Sequence, residues 1–470
     1  MADADYRAQL PALVARRRIP PAVRQAVPLL SALAMTIGLA FNGLNDAAGQ
    51  AVSAMIGAVM LAALLIDTRP DGHFWQQRKA VLVPALLAGA WLSLGAFGIG
   101  LSAATPMPYA PDFAGPALMA WFGGFAALIG GSIIGADRIR MERTIRLILL
   151  CIGATLCIGL LMWLAGSASS ALDYWTISRR GRFAGMVSNV NVTAALAGGA
   201  VLQATALAIL ARRRARERKD GLHNLSLALA AGIAVIAAIA LLLTAARFPI
   251  VVTITLLLGL AALLRRRRDQ RGRKIAPTWV WPLIGLLVTA LLWWFSGPLL
   301  ARFDTLGSEA LVRSMMWDHY LDLATASPLQ GYGPGSFPTL NAATLDDPLT
   351  ARSLWFVNSA HNLFLQIALA GGFPYLLLML WAGWALLSPV ARLALRGQLP
   401  MDTLGAFALV LAILLCATVD IALDVPAIVL LTLFLAGLLW GRALKLRERA
   451  LDQRKPRRNC RRCQADSTGA

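Results

Sequence analysis

The chain has 470 residues, of which 58% are hydrophobic and 14% charged, with a mean hydropathy of +0.64. That composition excludes an ordinary soluble globular protein and specifies an all-α, polytopic membrane protein. The formal net charge of +20 invites a nucleic-acid reading, which the placement of the charge along the chain removes.

Residues 1–26 carry Arg16, Arg17, Arg18 and Arg24 and lead into an apolar run without a small-residue cleavage site, so the run reads as a retained anchor. Apolar runs long enough to cross about 30 Å of hydrocarbon as helices are predicted at 27–43, 47–66, 80–101, 115–135, 144–165, 191–211, 222–244, 248–264, 278–297, 361–388, 402–419 and 425–441. These are twelve spans: nine within 27–297, then a large loop at 298–360, then three within 361–441, followed by a basic tail at 442–470. With the N-terminus cytoplasmic, 37 of the 44 Lys and Arg fall in cytoplasmic segments. The exceptions are Arg179, Arg180, Arg182, Arg247, Arg302, Arg313 and Arg352, with no lysine among them. This is the positive-inside pattern, and it puts both termini in the cytoplasm. RRRARERK and RRRRDQRGRK accordingly read as orientation signals and headgroup anchors. Cys151, Cys157 and Cys416 lie in spans, and Cys460 with Cys463 forms one CxxC in the tail, which reads as solvated chain in the absence of a second ligand pair.

Two outside loops are longer than a connection needs, 166–190 and 298–360. In the larger, EALVRSMMWDHYLDLA has Leu311, Met315 and Leu323 at helical spacing, which predicts a helix over the outer mouth of the bundle, and SPLQGYGPGSFP breaks it.

Three ionisable residues stand at outer ends of predicted spans. Arg247 interrupts a long uncharged stretch, LALAAGIAVIAAIALLLTAARFPIVVTITLLLGL, at a turn of a few residues. A charge there is costly unless it meets an anion or snorkels to the headgroups, and a guanidinium fork suits phosphate. Pro249 fits the first turn of the returning helix. Arg182 follows Arg179 and Arg180 in SRRGRFAGMVSNVN, ahead of a helix that opens with Asn189, Asn191 and Thr193, and the cluster suits a diphosphate or an interfacial anchor. His361 follows Asn358 and Ser359. With Ser359 as cap, His361 falls in the first turn of its helix, where the dipole disfavours protonation and leaves a base. His319, between Asp318 and Asp322, offers too few ligands for a convincing metal site.

Four segments in order, GRFAGMVSNVN, LTAARFP, RSMMWDHYLDLATASPLQGYGPGSF and SAHNLFLQIALAGGFPYLLLML, give the chain its resemblance to the O-antigen ligase and polymerase family of bacterial envelope glycan enzymes. The chain departs from that family's usual pattern at Ala246, where a serine is more common, and at Asn189, Val190 and Asn191, where Asn-Pro-Asn is usual. The resemblance implies a C-type glycosyltransferase-like fold and a periplasmic active site in the bacterial inner membrane. It implies a donor glycan on undecaprenyl diphosphate and, as acceptor, lipid A core in lipopolysaccharide biosynthesis or a growing polysaccharide. His361 then serves as base, Arg182 and Arg247 bind the diphosphate, and Asn362 and Arg313 assist. The transfer inverts the anomeric centre and needs no metal or cofactor. A polymerase with the same chemistry is the alternative. A transporter of an anion or lipid-linked sugar is the rival of another class, disfavoured because the polar groups gather at one face.

The topology is directly testable. Cysteines placed in 300–358 should be labelled by a membrane-impermeant reagent added to the periplasm and cysteines in 212–220 should not; the reverse pattern would overturn the orientation.

Overall fold

The computed structural model describes residues 21–99, 108–166, 177–179, 181–218, 221–266 and 306–454. In chain order the helices are α1 (Pro21–Thr36), α2 (Ala47–Thr68), α3 (Gly72–Ala96), α4 (Pro111–Ala136) and α5 (Arg138–Leu164). A small hairpin of β1 (Ser178–Arg179) and β2 (Arg182–Phe183) precedes α6 (Val190–Arg218), α7 (Gly221–Leu243) and α8 (Arg247–Arg266). Then come α9 (Leu306–Ala326), α10 (Phe337–Ala343), α11 (Pro348–Leu354), α12 (Leu363–Leu395), α13 (Met401–Ala417) and α14 (Pro426–Arg454).

Among the described residues nine helices are long and apolar enough to cross a membrane, and Ala26–Ala40 and Met401–Ala417 are shorter apolar helices. Each of these coincides with a predicted span; the remaining one, 278–297, lies outside the described residues, as does Arg180. The last helix runs on to Arg454, past the predicted limit at 441. Its charged turns keep helical geometry because Lys, Arg and Glu are good helix formers and Lys445 pairs with Glu448 at 2.7 Å.

The core is organised around α14, whose Phe434, Leu438 and Trp440 are buried. It packs most extensively against α4. The contact is a seam of small residues: a Cβ on Gly131 or Gly135 of α4 would run into the carbonyls of Phe434 and Leu438, and one on Gly437 or Gly441 into those of Leu128 and Ser132. Where lipid removes the hydrophobic drive for helix association, such close backbone approach supplies the packing energy. At one end of the bundle basic side chains are matched within the protein. Arg140 meets Asp67 at 2.6 Å, and buried Arg78 donates to Ser132 and to the Phe74 carbonyl while lying over the Phe74 ring. The opposite end carries α9 to α11 and is called the site face below.

The predicted helix over 309–324 is α9, but its buried stripe differs from the one expected. Met316, Tyr320 and Ala324 are buried, while Leu311 is 62% exposed. The reason is where the support lies: Phe337 and Leu340 of α10 and Leu354 of α11 pack beneath the C-terminal half of α9, and Tyr320 donates to Asn341 at 2.9 Å.

Helix α12 is broken near its middle. Gly372 has φ 73° and ψ −178°, and Pro374 follows. Proline has no N–H for the Ala370 carbonyl, so the break frees backbone groups that must find partners inside the protein. Residues 328–332 and Trp91 supply them. Tyr332 N–H donates to the Leu369 carbonyl at 2.7 Å, Phe373 N–H donates to the Pro328 carbonyl at 2.8 Å, and the Trp91 indole of α3 donates to Gly371 at 2.9 Å. The fit is close: a Cβ on Gly372 would collide with the Leu329 carbonyl, and one on Gly331 with that of Leu369.

Gly372→Ala should therefore be costly twice over, from a conformation that is nearly glycine-only, about 1–3 kcal/mol, and from displacement of 327–333. Thermal unfolding of the purified protein should drop and protease should cut within 327–335; an unchanged melt with continued protection would show that the break is not held by this loop.

Candidate active site

The site assembles at helix ends and turns on the site face. The hairpin turns through Gly181 at φ 72° and buries Phe183, which fixes Arg182 beside the α7–α8 turn. There Arg182 Nε donates to the Thr244 carbonyl at 2.6 Å. That turn is tight, with Ala245 at φ 47° and the Thr244 hydroxyl accepting from Ala246 N–H at 3.2 Å. Arg247 opens α8 directly after it, as predicted, with Pro249 in the first turn, and its three guanidinium nitrogens are out of reach of solvent. The two arginines singled out from sequence thus belong to one neighbourhood, around a single turn.

Helix α6 is capped by Asn189, whose side-chain oxygen accepts from Asn191 and Val192 N–H at 3.0 and 3.1 Å. This frees the Asn191 side chain to donate 2.6 Å to Asp420. Asp420 is the hub of the cluster: its other oxygen lies 3.5 Å from His361 Nδ1 and accepts from Ile421 N–H, and Arg313 of α9 stands 3.8 Å away. Four separate segments, 190–191, 306–326, 361 and 420, meet at one carboxylate.

His361 does not occupy the first turn of a helix with Ser359 as cap. It precedes α12 in a left-handed conformation, φ 48°, and the cap is Asn362, whose oxygen accepts from Phe364 and Leu365 N–H. Asparagine wins the capping position because its side chain reaches the N2 and N3 amides. The expected dipole argument for His361 therefore does not apply, and Asn362 has a positioning task that the sequence reading had not given it. Ser359 instead donates its hydroxyl to Asp424 and accepts, at 3.4 Å, from His361 N–H. Loss of water pushes the Asp424 carboxyl up to about 6, against the lowering effects of the Ser359 hydroxyl and His361 and with a further rise from Asp420.

Asp420 and Asp424 were not among the residues picked out from sequence. The available signal was the turn TVDIALDVP, where two acids stand between two apolar spans; attention to cations at the outer face passed over it. His319, weighed as a metal ligand, instead turns to Thr344 at 3.2 Å, and burial lowers its pKa against the raising effects of Asp322 and Asp346. Among the described residues no group of three or more His, Cys, Asp or Glu is gathered as a metal would require.

No curated protein matches the chain. Residues 232–380 match the family model for O-antigen ligase. That stretch holds Arg247, Arg313, His361 and Asn362, and the structure adds Arg182, Asn191, Asp420 and Asp424 to them from outside it. Within residues 232–380 the chain is similar to the O-antigen ligase family.

Proposed function

We propose that the protein is an O-antigen ligase-type glycosyltransferase that moves a glycan from undecaprenyl diphosphate to a hydroxyl of lipid A core, at the periplasmic face of the bacterial inner membrane, with both termini cytoplasmic. The observation that carries the reading is the Asp420 cluster, which gathers His361, Arg313 and Asn191, together with the turn that Arg182 and Arg247 share.

In this reading the carboxylate of Asp420 accepts from Nδ1–H of His361 and leaves Nε2 as the basic nitrogen. Nε2 takes the proton of the acceptor hydroxyl while its oxygen attacks the anomeric carbon from the face opposite the diphosphate. The bond between the anomeric carbon and the phosphate oxygen breaks, its electron pair leaves on the diphosphate, and the centre is inverted. Arg182 and Arg247 meet the charge that grows on that leaving group. Donors placed where charge develops contribute about 3 kcal/mol each in other enzymes, more than the pair would give to ground-state binding in water. Arg313 bridges the cluster to α9 and orients the donor. The fold is of the C-type glycosyltransferase kind in this reading. Transfer to a growing polysaccharide uses the same groups, and the identity of the extended acceptor separates ligase from polymerase.

His361→Ala should lower turnover by about 10²–10⁴-fold while leaving donor affinity close to that of the unaltered protein, because a base contributes little to holding the lipid diphosphate. Arg247→Ala should damage both quantities, and Arg247→Lys should stay impaired, since a point charge does not reproduce bidentate contacts. Donor affinity and transfer rate on purified variants check this; near-normal turnover in His361→Ala would reduce the histidine to a structural residue.

Because two guanidinium groups stand where a cation would otherwise neutralise the diphosphate, transfer should survive a chelator. Loss of activity restored by magnesium or manganese would assign that charge to a metal instead.

A further inference from the structure

Beside the Asp420 cluster, on the other side of Ser359 and Asp424, a cleft of about 600 Å³ opens between the start of α2, α4, the 334–338 segment, the first turns of α12 and the α13–α14 turn. Its size falls within the roughly 300–1,000 Å³ of sites that enclose a small ligand. We propose that this cleft binds the terminal sugar of the acceptor, an inference that rests on the transferase reading above.

The polar groups of the lining, set among mostly apolar side chains, point to a neutral polyol. Asp46, Gln50, Gln366 and Asp424 present carboxylates and amides, Phe113 and Trp121 present ring surface, and none of the described residues lining it is Lys, Arg or His. An acidic wall without a cation repels a diphosphate, so the donor head group belongs with the arginines. A polyprenyl chain would strip water from Asp46 and Asp424 and return no hydrogen bonds. Sugar hydroxyls do return them, and the C–H faces of a sugar ring suit aromatic surface. Gln366 has its oxygen committed to Ala360 N–H at 2.9 Å, which leaves its NH₂ group to donate. Asp424 is held by the Ser359 hydroxyl on one oxygen, which leaves the other to accept.

The position completes the argument. Ser359, in the cleft wall, accepts from His361 N–H at 3.4 Å, so the residue held directly behind that wall is His361. Asp420 and Asp424 stand at opposite ends of one short turn, the first with His361, Arg313 and Asn191, the second in the cleft. The turn thus stands between the Asp420 cluster, which holds the base, and the acidic cleft on the acceptor side.

The test uses the full-length protein in proteoliposomes, an undecaprenyl diphosphate-linked oligosaccharide as donor, and as acceptor whichever of lipid A core and a second lipid-linked glycan the unaltered protein extends. Gln50→Leu removes a polar group at nearly constant volume, and Ala117→Trp fills the cleft from α4, where Ala117 is half-buried. Each should raise the acceptor KM about tenfold, the equivalent of roughly 1.4 kcal/mol, while donor KM stays within about twofold. Unfolding curves accompany each variant, and a photoreactive benzoylphenylalanine at position 117 should crosslink acceptor and not donor. An unchanged acceptor KM, or a rise in donor KM with donor crosslinked at 117, overturns the acceptor assignment while leaving the transferase intact. A protein that transfers to neither acceptor overturns the transferase reading and this one with it.

Discussion

The break in α12 is the constraint on which the site face depends. A helix interrupted by Gly372 and Pro374 in a lipid-facing bundle exposes carbonyls and amides that hydrocarbon does not satisfy, so the sequence is viable only if another part of the chain comes to the break. Residues 327–333 do so by backbone hydrogen bonds to Leu369 and Phe373, and Trp91 adds a third contact from α3. The consequence reaches past local stability. The docked segment directly follows α9, which carries Arg313, and α12 is the helix whose first turn follows His361. Pinning the loop to the break therefore sets the spacing between the two residues that meet at Asp420.

Charge is distributed between the two ends of the bundle in different ways. At the end remote from the site several cations are matched by partners, as with Arg140 and Asp67 or with Glu142 among Arg138, Arg146 and Arg214. At the site face one carboxylate gathers a histidine, an amide and an arginine at 2.6 to 3.8 Å. The Arg313 distance of 3.8 Å is too great for a strong hydrogen bond, a geometry that leaves the guanidinium loosely held. A structural ion pair in the same surroundings would close up, as Arg140 and Asp67 do at 2.6 Å.

Much of this arrangement was legible in the sequence, for definite reasons. Arg247 stood out because it interrupts apolar chain where charge is expensive and His361 because it stands at the mouth of a span; the structure puts Arg247 at the turn expected of it and His361 just ahead of its helix, outside the first turn. The helix over 306–326 and the glycine-rich break after it were readable from spacing and from the residues that only tolerate turns. What escaped was tertiary. Locally 415–426 shows only two acids in a turn between apolar spans, and what gives Asp420 its place is Asn191, Arg313 and His361, up to 229 residues away in the chain. The cap of α12 was misplaced because Asn358, Ser359 and Asn362 all have capping side chains, and the choice among them was decided by Ser359 turning to Asp424. The exposed stripe of α9 was misjudged because periodicity reports a face without saying how far along the helix that face is covered.

The turn that carries Asp420 and Asp424 is held more firmly than a surface loop of its length. It joins α13 and α14, two helices whose buried residues include Leu409, Val410, Ile413, Leu431, Phe434 and Leu435, and Val425 at its end is buried with Ala422. Side chains on such a support keep their positions without needing a substrate to order them, and preorganised charge is what lowers a barrier without reorganisation at the moment of reaction. His361, by contrast, stands outside its helix in a left-handed conformation, held by Ser359 on its backbone and Asp420 on its ring. The rigid turn therefore positions His361 from two sides, through Asp420 on the ring and through Asp424 and Ser359 on the backbone. Without that double hold, a residue in a conformation costing about 1–2 kcal/mol would relax away from the point where the two sides of the site meet.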